Sequence, residues 1–199
     1  SLYFKARSRF ASRNSEHQGI DHLLAGFKKN NQIEIPEKLF LEGGDVVLAP
    51  GRVFVGLGAR SSREGIDWLA GVLQKRNIRR EIIIVPHDVL HLDCCWNVID
   101  SNLALWCEEA TGPFMDLNGK TLLIDLQTIP VNRAQQAALA TNVLAVGPRH
   151  VLARDHSICE PVNRILTDDF GFSVNLLSFD CVPSIGGSFR CATLVLARG

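Results

Sequence analysis

The chain has 199 residues, is 46% hydrophobic, and carries 21 basic and 21 acidic residues that cancel to a formal net charge of zero. That length supports one sizeable core and is short for two domains. The charge balance offers no electrostatic footprint for nucleic acid or an anionic membrane, and no apolar run approaches the ~20 residues of a bilayer span.

In chain order, Ser1-Leu2-Tyr3-Phe4-Lys5-Ala6 has the composition of a strand entered midway. Residues 19–29 place Ile20, Leu23, Leu24 and Phe27 at helical core spacing. Residues 39–48 and 52–57 predict two strands, with Pro50-Gly51 as the turn between them. Residues 62–75 predict a helix capped by Ser62, with Ile66, Leu69, Ala70 and Leu73 facing inward. Short strands are expected over residues 81–85, 96–99, 103–106 and 121–124. An Ala/Gln-rich helix over 132–140 precedes strands over 143–146 and 151–153. A helix over 161–169 and strands over 174–177 and 193–198 complete the pattern. Strand pairs alternating with single helices predict an α/β protein built of small mixed units around a common centre. No linker or low-complexity tract divides residues 1–199, so a single domain is expected.

The six cysteines are Cys94, Cys95, Cys107, Cys159, Cys181 and Cys191. Cys94 and Cys95 are adjacent, which suits no simple bridge, and no CxxC pair is present. A reduced, cytoplasmic protein is expected, and no secretory segment opens the chain. Cysteine and histidine never fall at ligand spacing, so no metal is expected. The only methionine is Met115, and the chain is expected to lack its natural beginning or to have had its initiator trimmed.

A lone cysteine is most often a small buried hydrophobe. Cys191 differs in its setting: Gly186-Gly187 free the backbone just before it, and an apolar β-type run follows. Such a junction can present a thiol to a cleft. Two other segments carry what a nucleophilic cysteine needs, Glu42-Gly43-Gly44-Asp45 and His91-Leu92-Asp93. Histidine supplies proton transfer, and carboxylates hold a cationic substrate by charge-assisted hydrogen bonds.

These motifs, with Gly56-Leu57-Gly58-Ala59-Arg60-Ser61, stand in an order and spacing that resemble the guanidine-modifying superfamily. Its members include arginine deiminases, dimethylarginine dimethylaminohydrolases and arginine:glycine amidinotransferases. The resemblance covers nearly the whole chain. It implies a pentein-like α/β propeller of repeated ββαβ units around a central channel. It also implies a further blade ahead of Ser1, ending in a Phe-x-Arg-Asp motif that this chain lacks. The expected fold is therefore a propeller without its first N-terminal blade, whose open edge a second copy would close as a homodimer.

The resemblance also assigns roles. Cys191 matches the nucleophile and His91 the general acid/base. Glu42 matches a carboxylate that binds the guanidinium and supports His91. Asp93 resembles the second guanidinium-binding carboxylate and favours an unsubstituted guanidinium. Arg60 resembles a residue gripping the substrate α-carboxylate, and Arg13 is a looser match to another. Asp45 belongs to the same substrate-binding set by position, with a structural role in closing the glycine turn as its favoured reading. The implied activity is a cofactor-free guanidino hydrolase giving a ureido product and ammonia. Amidino transfer to an amine, or a non-catalytic truncated propeller that binds a guanidino ligand or a protein, are the alternatives.

Overall fold

A computed structural model of the chain describes residues 2–25, 31–180, 182–183 and 186–193. Three of its four sheets repeat one design. In the first, β3 (Val46–Ala49) and β4 (Arg52–Leu57) form an antiparallel pair, and β5 (Glu81–Pro86) adds parallel to β4. The tight turn is made at Gly51, whose φ of +71° suits glycine. The parallel return needs a crossover, supplied by helix α2 (Arg63–Lys75), whose Ser62 cap accepts a hydrogen bond from the Gly65 N–H.

The second sheet pairs β6 (Trp96–Asp100) antiparallel with β7 (Leu103–Trp106), and β8 (Gln127–Pro130) parallel to β7. The third pairs β9 (Leu144–Gly147) with β10 (His150–Arg154), crosses over through α4 (Glu160–Asp168), and adds β11 (Ser173–Leu177) parallel. This mixed repeat makes the fold an α/β propeller. The remaining sheet joins β1 (Tyr3–Lys5) and β2 (Gln32–Glu34) in parallel. Short helix α1 (Asp21–Leu24) lies between β1 and β2 in the chain, and α3 (Arg133–Ala137), opened by a capping box at Asn132, lies between the second and third units.

Strand alternation divides the core. Val53 and Val55 of β4 join Ile66, Leu69 and Leu73 of α2 in an outer cluster. Phe54 and Val47 point the other way, with Ile83 and Val85, into the main cluster shared by all three units. Phe54, Trp96, Trp106 and Phe114 form its aromatic centre, with ring centroids 4.9 Å apart for Trp96 and Phe114. No helix among the described residues is long and apolar enough to cross a membrane.

Four segments differ from the sequence reading. Residues 121–124 are not a strand: Leu122 and Ile124 lie against the main cluster from an irregular segment, Leu123 is fully exposed, and β8 follows instead. The apolar pair there covers the core without entering a ladder. Residues 39–45 are not strand either, because Gly43–Asp45 form a 3-10 turn ahead of β3. The expected helix over 19–29 is a 3-10 turn, Glu16–Ile20, running into one turn of α1; residues 26–30 lie outside the described residues. Finally, Cys191 stands in a tight turn, with the Ala192 N–H donating to the Ser188 carbonyl, and the expected strand beyond 193 lies outside the described residues.

Candidate active site

The glycine turn at Gly43–Asp45 organises one side of the site. Asp45 is fully buried, and its carboxylate is an acceptor for three groups. Oδ2 accepts from the Ser61 hydroxyl at 2.5 Å, and Oδ1 accepts from the Leu92 N–H at 2.8 Å and faces His87 Nε2 at 3.0 Å. Ser61 Oγ in turn accepts from the Glu42 N–H at 3.0 Å. Asp45 therefore ties the Glu42 turn to the backbone between His91 and Asp93. Its side chain has no exposed surface.

Glu42 and His91 are brought together by this frame, with His91 Nε2 2.8 Å from Glu42 Oε2. Gly44 makes the approach possible: a Cβ there would lie 2.7 Å from His91 Cγ and 2.8 Å from its Cβ. Burial pushes the Glu42 carboxyl up, but hydrogen bonds from His91 and Ser8 and the charges of His91 and Arg60 outweigh it, and its pKa lies below the ordinary value. Burial likewise pushes the His91 imidazole down, and the Glu42 hydrogen bond with the charges of Asp45, Asp93 and Glu42 reverses this, leaving it raised. The pair thus favours a protonated His91 beside an ionised Glu42.

Both candidate arginines converge on Glu42. Arg13 Nη1 donates to Oε2 at 3.1 Å, and Arg60 Nη1 to Oε1 at a longer 3.5 Å. Arg13 is also held bidentately by Glu16, and Arg60 lies over the Phe10 ring, 4.5 Å from its centroid. The N-terminal segment that carries Arg13 and Phe10 is fixed by Arg7, which exchanges two backbone hydrogen bonds with Leu41.

Cys191 faces Asp93, its Sγ 3.7 and 3.9 Å from the two carboxylate oxygens. Asn142 clamps the cysteine: Oδ1 accepts the Cys191 N–H at 3.3 Å, and Nδ2 donates to Sγ at 3.2 Å and to the Asp93 carbonyl at 3.2 Å. The Asn142 loop is itself held by buried Asn97, whose amide donates to the Thr141 and Val143 carbonyls. Gly187 packs beneath, where a Cβ would lie 3.4 Å from Cys191 Cβ. A hydrogen bond from the Cys94 thiol is the main cause of a lowered Cys191 pKa, against burial and the Asp93 charge, with Ser188 and Asn142 assisting. The same bond pushes the Cys94 thiol up. Asp93 is pushed up by burial, opposed by Arg190, whose Nε is 3.5 Å away, and by His91.

Asp93, Cys94 and Cys191 place one donor atom each within 4.8 Å of one another, the one such group among the described residues. That is three donors, short of the closed four-ligand set of a structural zinc centre. Four residues of the site escaped the sequence reading: His87, Asn142, Arg190 and the sulfur of Cys94, which had the pattern of a core thiol. His87 alone left a trace, since Gly56 and Gly58 leave room for its ring.

The arginine deiminase family model matches residues 19–121. Among curated proteins, an uncharacterized protein, YkgA, of Bacillus subtilis is 32% identical over 192 residues, which cover 92% of this chain and 62% of the relative. The chain thus spans less than two thirds of that relative's length. The solved structures include SxtG, an amidinotransferase from Microseira wollei in the saxitoxin biosynthetic pathway, with TM-score 0.78 at 21% identity over 98% of this chain and 66% of that one. A dimethylarginine dimethylaminohydrolase adduct has TM-score 0.72 at 20% identity over 94% and 70%. An AgrE mutant bound to L-arginine has TM-score 0.75 at 20% identity over 96% and 29%.

Proposed function

Because the chain belongs to the arginine deiminase family, we propose that it is a cysteine-dependent hydrolase of a guanidino group. The observation that supports this reading is a pair of prepared groups, each held by a carboxylate of the Glu42 turn or the His91–Asp93 segment. One is a thiol with a lowered pKa against Asp93, the other an imidazole with a raised pKa hydrogen-bonded to Glu42. A guanidinium carbon is a poor electrophile, because its charge is spread over three nitrogens. Asp93, facing Cys191, would hold the planar cation with its carbon toward the sulfur. Glu42 would contribute from the other side, where Arg60 at 3.5 Å is its weaker contact.

The Cys191 thiolate then bonds to the guanidinium carbon. A C–N bond breaks, its electron pair leaves on nitrogen, and His91 supplies the proton that makes ammonia. Water next gives a proton to His91 while its oxygen bonds to the carbon. The C–S bond breaks, returning the electron pair to sulfur, and the hydroxyl proton passes to solvent or the departing ammonia as the ureido carbonyl forms. Arg60 and Arg13 would meet an anionic group at the substrate's far end.

The test is ureido product and ammonia release from L-arginine by this chain beside Cys191→Ser. Turnover lost on substitution supports the reading. Amidino transfer to an added amine acceptor with no ureido product would replace hydrolysis by transfer through the same intermediate. Binding of arginine without either product would make the chain a guanidino-binding propeller.

A further inference from the structure

His87 and Asp45 have no exposed side-chain surface, and the mechanism above gives neither a chemical step. Their geometry fixes a proton count. His87 Nδ1 lies 3.2 Å from the Val89 carbonyl oxygen, and Nε2 lies 3.0 Å from Asp45 Oδ1. A carbonyl oxygen only accepts, and so does a carboxylate, whereas a neutral imidazole has one N–H to give. Both contacts are hydrogen bonds only when both ring nitrogens carry protons. A proton on Asp45 instead would sit on a group already accepting from the Leu92 N–H and the Ser61 hydroxyl, which favour its ionised form.

The surroundings are built for this ring. A Cβ on Gly56 or Gly58 would come within 2.7 Å of it, so the Gly-x-Gly of β4 and its following turn is a seat for an imidazole. A buried carboxylate without a cation is strongly unfavourable, and a hydrogen-bonded partner offsets that. We propose that His87 is a buried imidazolium that neutralises Asp45 and so acts as a positioning residue for His91. Its effect on turnover rests on the hydrolase reading; the proton count does not.

The effect on His91 follows from where Asp45 sits. Its carboxylate accepts from the peptide N–H between His91 and Asp93, and its charge is among those that strengthen proton binding at His91. The other charges facing His91 are Glu42 and Asp93, with Arg13 and Arg60 behind Glu42 and Arg190 behind Asp93. The next charges in the chain beside His87 are Asp88 and its partner Arg133. Removing the His87 charge leaves Asp45 uncompensated beside His91.

The test uses the full chain with 15N-labelled histidine. At pH 7 one ring, assigned through its contact with Gly56 and Gly58, should show both nitrogens protonated. In His87→Gln, which keeps a donor for Asp45 but no charge, the His91 titration midpoint should move to higher pH. Adding Asp45→Asn should bring it back down. A singly protonated His87 ring in the unsubstituted protein overturns the proposal, even where the variant fails to fold. So does a His91 midpoint indifferent to His87→Gln. Neither readout needs turnover, so an inactive chain sinks the hydrolase reading and leaves this one standing.

Discussion

Gly44→Ala isolates the contact that seats His91. The new Cβ would lie 2.7 Å from His91 Cγ, 2.8 Å from Cβ and 2.9 Å from Nδ1. Carbon atoms in good contact sit about 3.5–4.0 Å apart, so the imidazole must retreat by roughly 1 Å. Rotation of the ring alone does not relieve the clash, because His91 Cβ is part of it. The Glu42 hydrogen bond, 2.8 Å long, would open past the ~3.2 Å limit of a good bond. A displacement of that order costs about 10²-fold in rate, or about 2.7 kcal/mol of transition-state stabilisation. The neighbouring substitution is the control: a Cβ on Gly43 meets nothing within 4 Å. Guanidino hydrolysis should therefore fall ~10²-fold in kcat/KM for Gly44→Ala and stay near the unsubstituted rate for Gly43→Ala. Urea denaturation of both variants separates a misplaced ring from general loss of stability. Equal activities, with the His91 titration unchanged in Gly44→Ala, would refute the reasoning.

Other outcomes follow from the same geometry. Asn142→Ala removes the donor to the Cys191 sulfur and the acceptor of its N–H, so the pH profile of iodoacetamide alkylation at Cys191 should move to the alkaline side; an unmoved profile counts against the clamp. Cys94→Ala should move it the same way, because the neighbouring Cys94 thiol is the first cause of the lowered Cys191 pKa. Glu42 has a lowered pKa, so its contribution to stability is present above the ordinary carboxylate value and is lost as pH falls through the lowered one. His91 has a raised pKa, so its contribution is present below the ordinary imidazole value and is lost as pH rises through the raised one. Thermal melts across pH should then show the difference between the unsubstituted chain and Glu42→Gln to be largest between these limits, and a pH-independent difference refutes the linkage. Trp96→Ala, at a fully buried ring packed on Phe54, Phe114 and Trp106, should cost about 3–5 kcal/mol in urea unfolding.

The strands legible in the sequence are those with an apolar period and a local turn signal. β4 and β5 are nearly continuous apolar runs flanked by Pro50-Gly51 and the α2 crossover, and their positions match the expectation closely. Residues 121–124 misled because an apolar run reports burial, and burial there comes from lying over the core instead of from a ladder. The site divides in the same way. Glu42, His91, Asp93 and Cys191 sit beside glycines or in a short polar motif and can be picked out locally. Asn142 and Arg190 touch their partners only through the third unit's loop and the closing turn, and nothing in their neighbours marks them. His87 is intermediate. Its signal lies some thirty residues earlier, in Gly56 and Gly58, and only the parallel pairing of β4 with β5 turns those two glycines into a seat for it.

The two halves of the site are supported by separate parts of the fold. The Glu42–His91 half hangs on Asp45 and the first sheet, through the glycine turn and the loop after β5. The Cys191 half hangs on Asn142, which Asn97 of β6 holds in the loop before β9. Asp93 is the joint between them. Its neighbouring peptide N–H, that of Leu92, is fixed by Asp45. Its own carbonyl is fixed by Asn142, and its carboxylate faces the sulfur. A substitution at Asp45 therefore reaches the thiol–carboxylate geometry through the Leu92 peptide without touching either group, whereas one at Asn142 reaches it directly, through the sulfur and the Asp93 carbonyl. Because both supports act on one short segment, their effects should depart from additivity when combined, as expected for residues that share a partner, and a double-mutant cycle on stability checks it.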